Sequence, residues 1–346
     1  MANIYELVTA KPTALRWVEK FNERKPFIGE AFFPATKQLG LDLSYIKGGS
    51  GSPKLLNLSA FDAKAIPLDR EGFEALKSNM PFFKNSKIVD ERDRQELNKV
   101  MGSGNKTLIE VIVNKIFDDN TSLLANADIT REAMRMQALT TGQLAFSNNG
   151  VSVAFDYGVP AANKITLTQT KKWSAVATAD PIADITAWQD QIENTVGVRP
   201  TVLLMNSVTF GLMKKCDSVK NAIYVLGQGK VTPSTTALES YVMDETGCTI
   251  KIVSKGYSTN GTFTKFVPDN KVILLPAGPI GKTVFGTTPE ESDLMSGTNA
   301  EVSIVDTGVA ITTSKETDPV NVITKVSMIC MPSLEAANEI IQAVIA

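Results

Sequence analysis

The stretch from Thr107 to Pro160 constrains this chain more than any other. Thr107-Leu108-Ile109-Glu110 reads as a capping box with Thr107 as the N-cap. Leu108, Ile109, Val111, Ile112 and Ile116 recur at helical spacing, and Leu123, Leu124, Ile129, Ala133, Met136 and Leu139 carry the pattern on. Thr140-Thr141-Gly142 closes the run. A strand, the turn residues Asn148-Asn149-Gly150, a second strand and Asp156-Tyr157-Gly158 follow before Pro160. Asn and Gly accept the positive φ of a hairpin turn. A helix unbroken from 107 to 142 would be about 54 Å long at 1.5 Å per residue. That length predicts a spine crossing a flat molecule. The alternative is two helices broken near Asp118-Asp119-Asn120.

Composition narrows the function classes. The 346 residues suffice for two domains, and at 43% hydrophobic they can bury a substantial core. A net charge of −2 lacks the basic excess of a general nucleic-acid binder. There is no histidine, which removes Ser-His-Asp triads, Cys-His pairs and HExxH sites. Cys216, Cys248 and Cys330 are odd in number, far apart and never in a CxxC pair. They read as buried small hydrophobes rather than a disulfide or zinc framework. The N-terminal sequence carries no signal-peptide pattern, and no stretch approaches the roughly 20 apolar residues of a membrane span. A protein made and kept in a cytoplasm, without cofactor, metal or membrane, is the expectation.

The chain divides unevenly. Residues 1–37 hold three prolines and scattered aromatics, with a short amphipathic helix expected over LRWVEKFNER and Leu15, Val18 and Phe21 near one face. Such an arm packs either on its own domain or, in the sharper reading, on a neighbouring subunit through Phe27, Phe32 and Phe33. Residues 38–77 alternate as a hairpin, LDLSYIKG running out and KLLNLSAFDAKAIPLDR running back around Gly48, Gly49 and Gly51. Residues 78–146 read as mostly helical, and 165–173 as a further strand. Residues 174–296 alternate helices and short buried strands, which predicts a compact α/β domain. Residues 297–334 return to long strands, and the apolar tail EAANEIIQAVIA should dock in a core or an interface.

Chemical motifs fail on inspection. Gly281-Lys282-Thr283 mimics the end of a phosphate loop, but Pro276 stands where its first glycine belongs and no helix signature is evident in TVFGTTPEES. Gly229-Lys230 is followed by Val231, and GGSGSPK has the wrong spacing. Asp90-Glu91, Asp118-Asp119 and Glu290-Glu291 read as solvated charge, the last pair in a loop. A carboxylate- or lysine-based hydrolase in 174–296 is the weakest surviving enzymatic reading.

The spine-to-hairpin succession resembles the E-x-x-R-x-x-x-L-x-T-G … D-x-G-x-P signature of lambda-like phage major capsid proteins, the capsid protein E family. Glu132, Arg135, Leu139, Thr141, Gly142, Asp156, Gly158 and Pro160 carry it. Further pieces follow in order: Trp173 before Asp180-Pro181, Asp184-Ile185 and Trp188; Gly197 and Pro200 before a hydrophobic strand; and Phe266, Pro268, Asp269, Val272, Leu274, Pro276 and Gly278. The resemblance implies an α+β, tailed-phage (Hong-Kong-type) capsid fold. Its parts would be an N-terminal arm (1–37), an extended hairpin loop (38–77), a peripheral domain with a spine helix (78–173), an axial domain (174–296), and return strands with a tail (297–346). It implies a non-enzymatic protein that self-assembles as hexamers and pentamers into an icosahedral head around double-stranded DNA. An encapsulin-like compartment shell of the same fold is the alternative. Phe27, Phe32, Phe33, Gly48, Gly49, Gly51, Lys64, Arg70, Glu132, Arg135 and Asp156 become candidate inter-subunit contacts. No acidic helical segment precedes the arm, so a separate scaffolding protein is implied, with a portal and a decoration protein by analogy.

Overall fold

The computed structural model describes residues 10–23, 25–47, 74–102, 106–148, 151–224, 231–259, 261–294, 301–306, 308–316, 318 and 320–346. After the arm helices α1 (Ala10–Glu23) and α2 (Ile28–Phe32) come the strands β1 (Ala35–Lys37), β2 (Asp42–Lys47), β3 (Glu74–Asn79) and β4 (Phe82–Val89). Helix α3 (Glu91–Gly102) then leads to α4 (Lys106–Thr141), which is one continuous helix of 36 residues. The break at Asp118-Asp119-Asn120 does not occur. The hydroxyls of Thr121 and Ser122 bond back onto the carbonyls of Asp118 and Asp119 at 3.0 and 2.6 Å, and Asn120 is buried. Asp119 meets Lys87 of β4 at 3.3 Å, so the acidic interruption is where the helix touches the sheet rim. Because α4 already starts at Lys106, Thr107 lies inside the helix and is not its N-cap.

Strands β5 (Gln143–Asn148) and β6 (Val151–Asp156) form the expected hairpin, with Asn148 opposite Val151; turn residues 149 and 150 lie outside the described set. Later elements are β7 (Lys164–Thr166), α5 (Pro181–Val196), β8 (Val202–Met205), α6 (Ser207–Lys215), α7 (Asp217–Ile223), α8 (Thr235–Thr246), β9 (Thr249–Ile252), β10 (Gly256–Thr259) and β11 (Thr262–Lys265). They continue as β12 (Lys271–Leu275), β13 (Thr283–Phe285), α9 (Pro289–Leu294), β14 (Glu301–Asp306), β15 (Val309–Lys315), β16 (Val322–Pro332) and β17 (Ile341–Val344).

Two sheets organise the chain. The first runs β1-β13-β16-β15-β14, with β4 also paired to β16. Val309 stands opposite Met328 and Ile311 opposite Val326, and these four join Met134, Met136 and Leu139 of α4 in one core. The second sheet runs β7-β17-β12-β8-β9. Its period-two alternation splits β12 cleanly. Ile273 and Leu275 enter the α4 core, while Val272 and Leu274 enter a second core with Ile185, Trp188 and Ile192 of α5. Trp173 stacks on Trp188 with ring centroids 6.3 Å apart, and its indole donates to Asp184 at 2.9 Å. Asp180 caps α5 by accepting from the Ala183 amide, so the Trp-Asp-Pro-Asp-Trp pattern is a packing and capping device.

Four sequence expectations are corrected. The partner of β2 is Glu74–Asn79, not 54–70, and residues 48–73 lie outside the described set. Phe82–Val89, expected within a charged helical region, is a strand on β16; its outer positions are exposed, which disguised the alternation. The 174–296 unit is interleaved with its neighbours, since β13 belongs to the first sheet while β7 and β17 belong to the second. Glu290 and Glu291 are not loop charges but buried residues of α9.

Gly142 shows how tightly the spine's exit is built. Its φ is +70°, and a Cβ there would lie 2.8 Å from Val159 Cγ2. Gly142→Ala is expected to cost about 1–3 kcal/mol, read as a lowered urea midpoint of the unassembled subunit.

Candidate assembly site

The arm lies on the chain's own spine and first sheet. In α1, Thr13, Ala14 and Trp17 are buried, whereas Leu15 and Val18 of the face expected from sequence are exposed; the Phe21 side chain lies outside the described set. At the end of α2 the chain buries Phe32 and the following Phe33, the latter with no exposed surface. Phe27 meets Phe266 edge to face at 5.9 Å, with the Lys255 ammonium 4.8 Å from its ring centroid. Phe32 and Phe33 are therefore spent inside the subunit rather than offered to a neighbour.

Below α2, on α4, sit Glu132 and Arg135, one turn apart and both buried. Glu132 Oε1 accepts from the Gly29 amide at 3.0 Å, and Oε2 faces Arg135 Nη1 at 3.4 Å. Arg135 Nε donates to Thr283 Oγ1 at 2.9 Å, and that hydroxyl donates to the Phe33 carbonyl at 3.0 Å. Burial pushes the Glu132 carboxyl above the ordinary range, against the pull of the Gly29 amide and of Arg135. A second buried pair, Asp128 and Arg131 at 3.1 Å, lies one turn earlier, with the Arg131 guanidinium 5.7 Å from the Phe285 ring centroid. Glu132 and Arg135 were expected among inter-subunit charges; both are enclosed, and their partners are in their own chain. Of the candidate contacts, Asp156 is exposed; it closes the β5–β6 hairpin by accepting from Gln143 Nε2 at 2.9 Å and the Gly158 amide at 2.7 Å. Gly48, Gly49, Gly51, Lys64 and Arg70 lie outside the described residues.

The spine's C-terminal end is held by the second sheet. A helix leaves its last carbonyls without internal partners. Gln342 of β17 donates to the Leu139 carbonyl at 2.8 Å, and Lys271 of β12 to that of Thr140 at 2.6 Å. Burial, and then the nearby Lys164, hold the Lys271 ammonium below its ordinary range. A cation at a helix C-terminus also complements the macrodipole.

Sequence reasoning missed a third junction. Thr288-Pro289-Glu290-Glu291 is a capping box with proline at its first helical position. The Thr288 amide donates to Glu291 Oε2 at 3.2 Å, and Thr288 Oγ1 accepts from the Glu291 amide at 3.3 Å. Glu291 also holds Lys37 of the arm strand at 2.8 Å. Glu290 pairs with Lys325 at 2.5 Å and accepts from Ser327 at 2.9 Å. Burial alone would raise the Glu290 carboxyl, but the Lys325 and Ser327 bonds hold it below the ordinary range. The signal was legible as Thr-x-x-Glu after a strand.

None of these junctions offers reaction chemistry. Thr283, the end of the apparent phosphate loop, is committed to Arg135 and the arm. All three cysteines are buried and free, and burial pushes the Cys330 thiol up to about 12. A cleft of about 380 Å³ between α5 and the 160–163 turn is lined by Pro160, Asn163, Gln191, Thr195 and Asn338, without an acid or a base. Among the described residues, no Cys, Asp or Glu group could hold a metal ion, and no helix is long and apolar enough to cross a membrane. Gln342→Leu should strand the Leu139 carbonyl and lower subunit stability by about 1–3 kcal/mol in chemical denaturation.

Comparison with known proteins agrees with this geometry. The family model of phage major capsid protein E matches residues 14–345. No curated protein matches the chain. Among solved structures, a putative prophage capsid protein from E. coli CFT073 aligns at 16% identity and TM-score 0.55, over 79% of this chain and 80% of that one. A phage-related protein from Bordetella bronchiseptica RB50 aligns at 12% and 0.56, over 97% and 96%. The capsid of cyanophage A-1(L) aligns at 12% and 0.50, over 92% of both chains. At such identities the likeness is one of fold, and the fold is that of phage capsid proteins.

Proposed function

The chain belongs to the phage major capsid protein E family; it is a structural, non-enzymatic protein of the phage head, and we propose that it builds that head as hexamers and pentamers of an icosahedral shell around double-stranded DNA. The match of the family model across residues 14–345 carries this reading. Self-association and residence in the virion come with the family. The finer picture is our own. Shells close in the host cytoplasm on a separate scaffolding protein, with a portal at one vertex and a decoration protein outside, and packaged DNA is touched without sequence preference. The near-neutral net charge of −2 suits a wall that does not grip DNA.

Purified protein at high concentration, or infected lysate, is expected to show closed shells or capsomers by electron microscopy, with DNA inside mature particles. A strictly monomeric protein, with no particles in lysate, sinks the reading; particles filled with a cargo protein instead of DNA turn it towards a compartment shell. Deleting residues 48–52 is expected to leave the subunit folded while impairing assembly, measured as shell yield against circular dichroism.

A further inference from the structure

We propose that Glu132 and Arg135 are positioning residues for assembly: together they form a seat on the spine that fixes the direction of the arm, and Gly29 is the residue shaped to that seat. The proposal rests on the capsid reading for its consequence, though not for its geometry.

Helix α2 spans five residues, too few to hold its own shape in water. It is gripped at both ends. At its start the Gly29 amide meets Glu132 Oε1, and after its end the Phe33 carbonyl takes the Thr283 hydroxyl, which Arg135 holds from the other side. The Glu132–Arg135 contact joins the two grips. The seat also has a shape. A Cβ on residue 29 would fall 2.5 Å from Glu132 Oε2, 2.9 Å from Oε1 and 3.0 Å from Arg135 Cδ. Only a residue without a side chain comes this close to the carboxylate.

Adhesion and direction are divided between different groups. Phe32 and Phe33 supply buried apolar area, which is non-directional. The hydrogen bonds of Glu132 and Arg135 supply direction at the start and exit of α2, beside the backbone bonds from the Ile280 amide to the Phe32 carbonyl at 3.0 Å and from the Thr283 amide to the Pro34 carbonyl at 2.9 Å. That direction matters because the chain leaves the seat both ways. Upstream it runs into α1, which lies against α4 and β14. Downstream it passes β1 to Leu39 and Leu41, apolar side chains 91% and 54% exposed where the chain enters β2. Turning α2 re-aims both, and with them Phe32 and Phe33 of the core below.

The test uses Glu132→Ala, Glu132→Gln, Gly29→Ala and the double variant Gly29→Ala/Glu132→Ala. On unassembled subunits, Gly29→Ala is expected to lower the urea midpoint, and Glu132→Ala to make that substitution nearly harmless, because the oxygens the new methyl meets are gone. Shell yield by sedimentation and negative-stain microscopy is expected to fall several-fold for Glu132→Ala and Gly29→Ala with far-UV circular dichroism unchanged. Glu132→Gln is expected to recover part of it, since its amide oxygen still accepts from Gly29 while its amide nitrogen, a donor, cannot pair with Arg135. Additive midpoint losses in the double variant, or folded Glu132→Ala and Gly29→Ala subunits assembling at wild-type yield, overturn the proposal. Should Glu132→Ala fail to fold, Gly29→Ala decides alone: wild-type shell yield refutes the seat, and reduced yield from folded subunits upholds it. Absence of shells from the wild-type chain would count against the capsid reading, leaving the midpoint cycle as an independent test of the seat.

Discussion

One helix gives the subunit its frame, and the rest of the chain is arranged around its middle and later turns. The 36 residues of α4 are too many for one small core. Their middle meets the first sheet through Asp119 and Lys87, and their later turns bury Met134, Met136 and Leu139. The final carbonyls are met by Gln342 and Lys271 from two adjacent strands of the other sheet. Both sheets therefore take their position from the same rod. The chain that links them crosses between layers three times, at β7, β13 and β17, so neither layer is a contiguous piece of sequence.

The polar groups inside this frame are costly and specific. Replacing a buried ion pair by apolar residues is often neutral or stabilising, whereas removing one partner is strongly destabilising. Glu132–Arg135 and Asp128–Arg131 are thus poor explanations of overall stability and good explanations of a single arrangement. The apolar face of α4 could accept several small helices at several angles. A carboxylate that needs the Gly29 amide, and a guanidinium that needs Thr283, accept one. The same logic applies to Glu290 and Glu291, which tie α9 to β16 and to the arm strand.

Much of this was legible from residue pattern, and the failures share a cause. The spine, the β5–β6 hairpin and the α5 cap followed from periodicity, turn residues and Asp180-Pro181, all local signals. The elements that were missed are specified by what they touch. Phe82–Val89 shows a mostly exposed pattern and reads as charged, yet it is a strand because β16 offers a free edge. Glu74–Asn79 is too polar to announce itself opposite β2. The E-x-x-R pair was visible as a motif, but its spacing cannot reveal that its partner lies 103 residues earlier, at Gly29. Thr288-x-x-Glu291 was a local signal, overshadowed by the failed phosphate loop just before it.

A subunit tied to the middle and later turns of one rod has little freedom to change shape by itself. Shell proteins must nevertheless meet copies of themselves at more than one angle. Apolar side chains left outside are available for such contacts. Leu15 and Val18 face outward on α1, and Leu39 and Leu41 stand at the foot of the β2–β3 hairpin. Each buries little alone, on the order of 1.5–3 kcal/mol at full burial. Contacts of that size are weak singly and decisive when repeated around a symmetric shell. Apolar side chains open to such contacts lie on the arm, at the foot of the β2–β3 pair and on the rod itself, where Leu108 and Val111 are exposed.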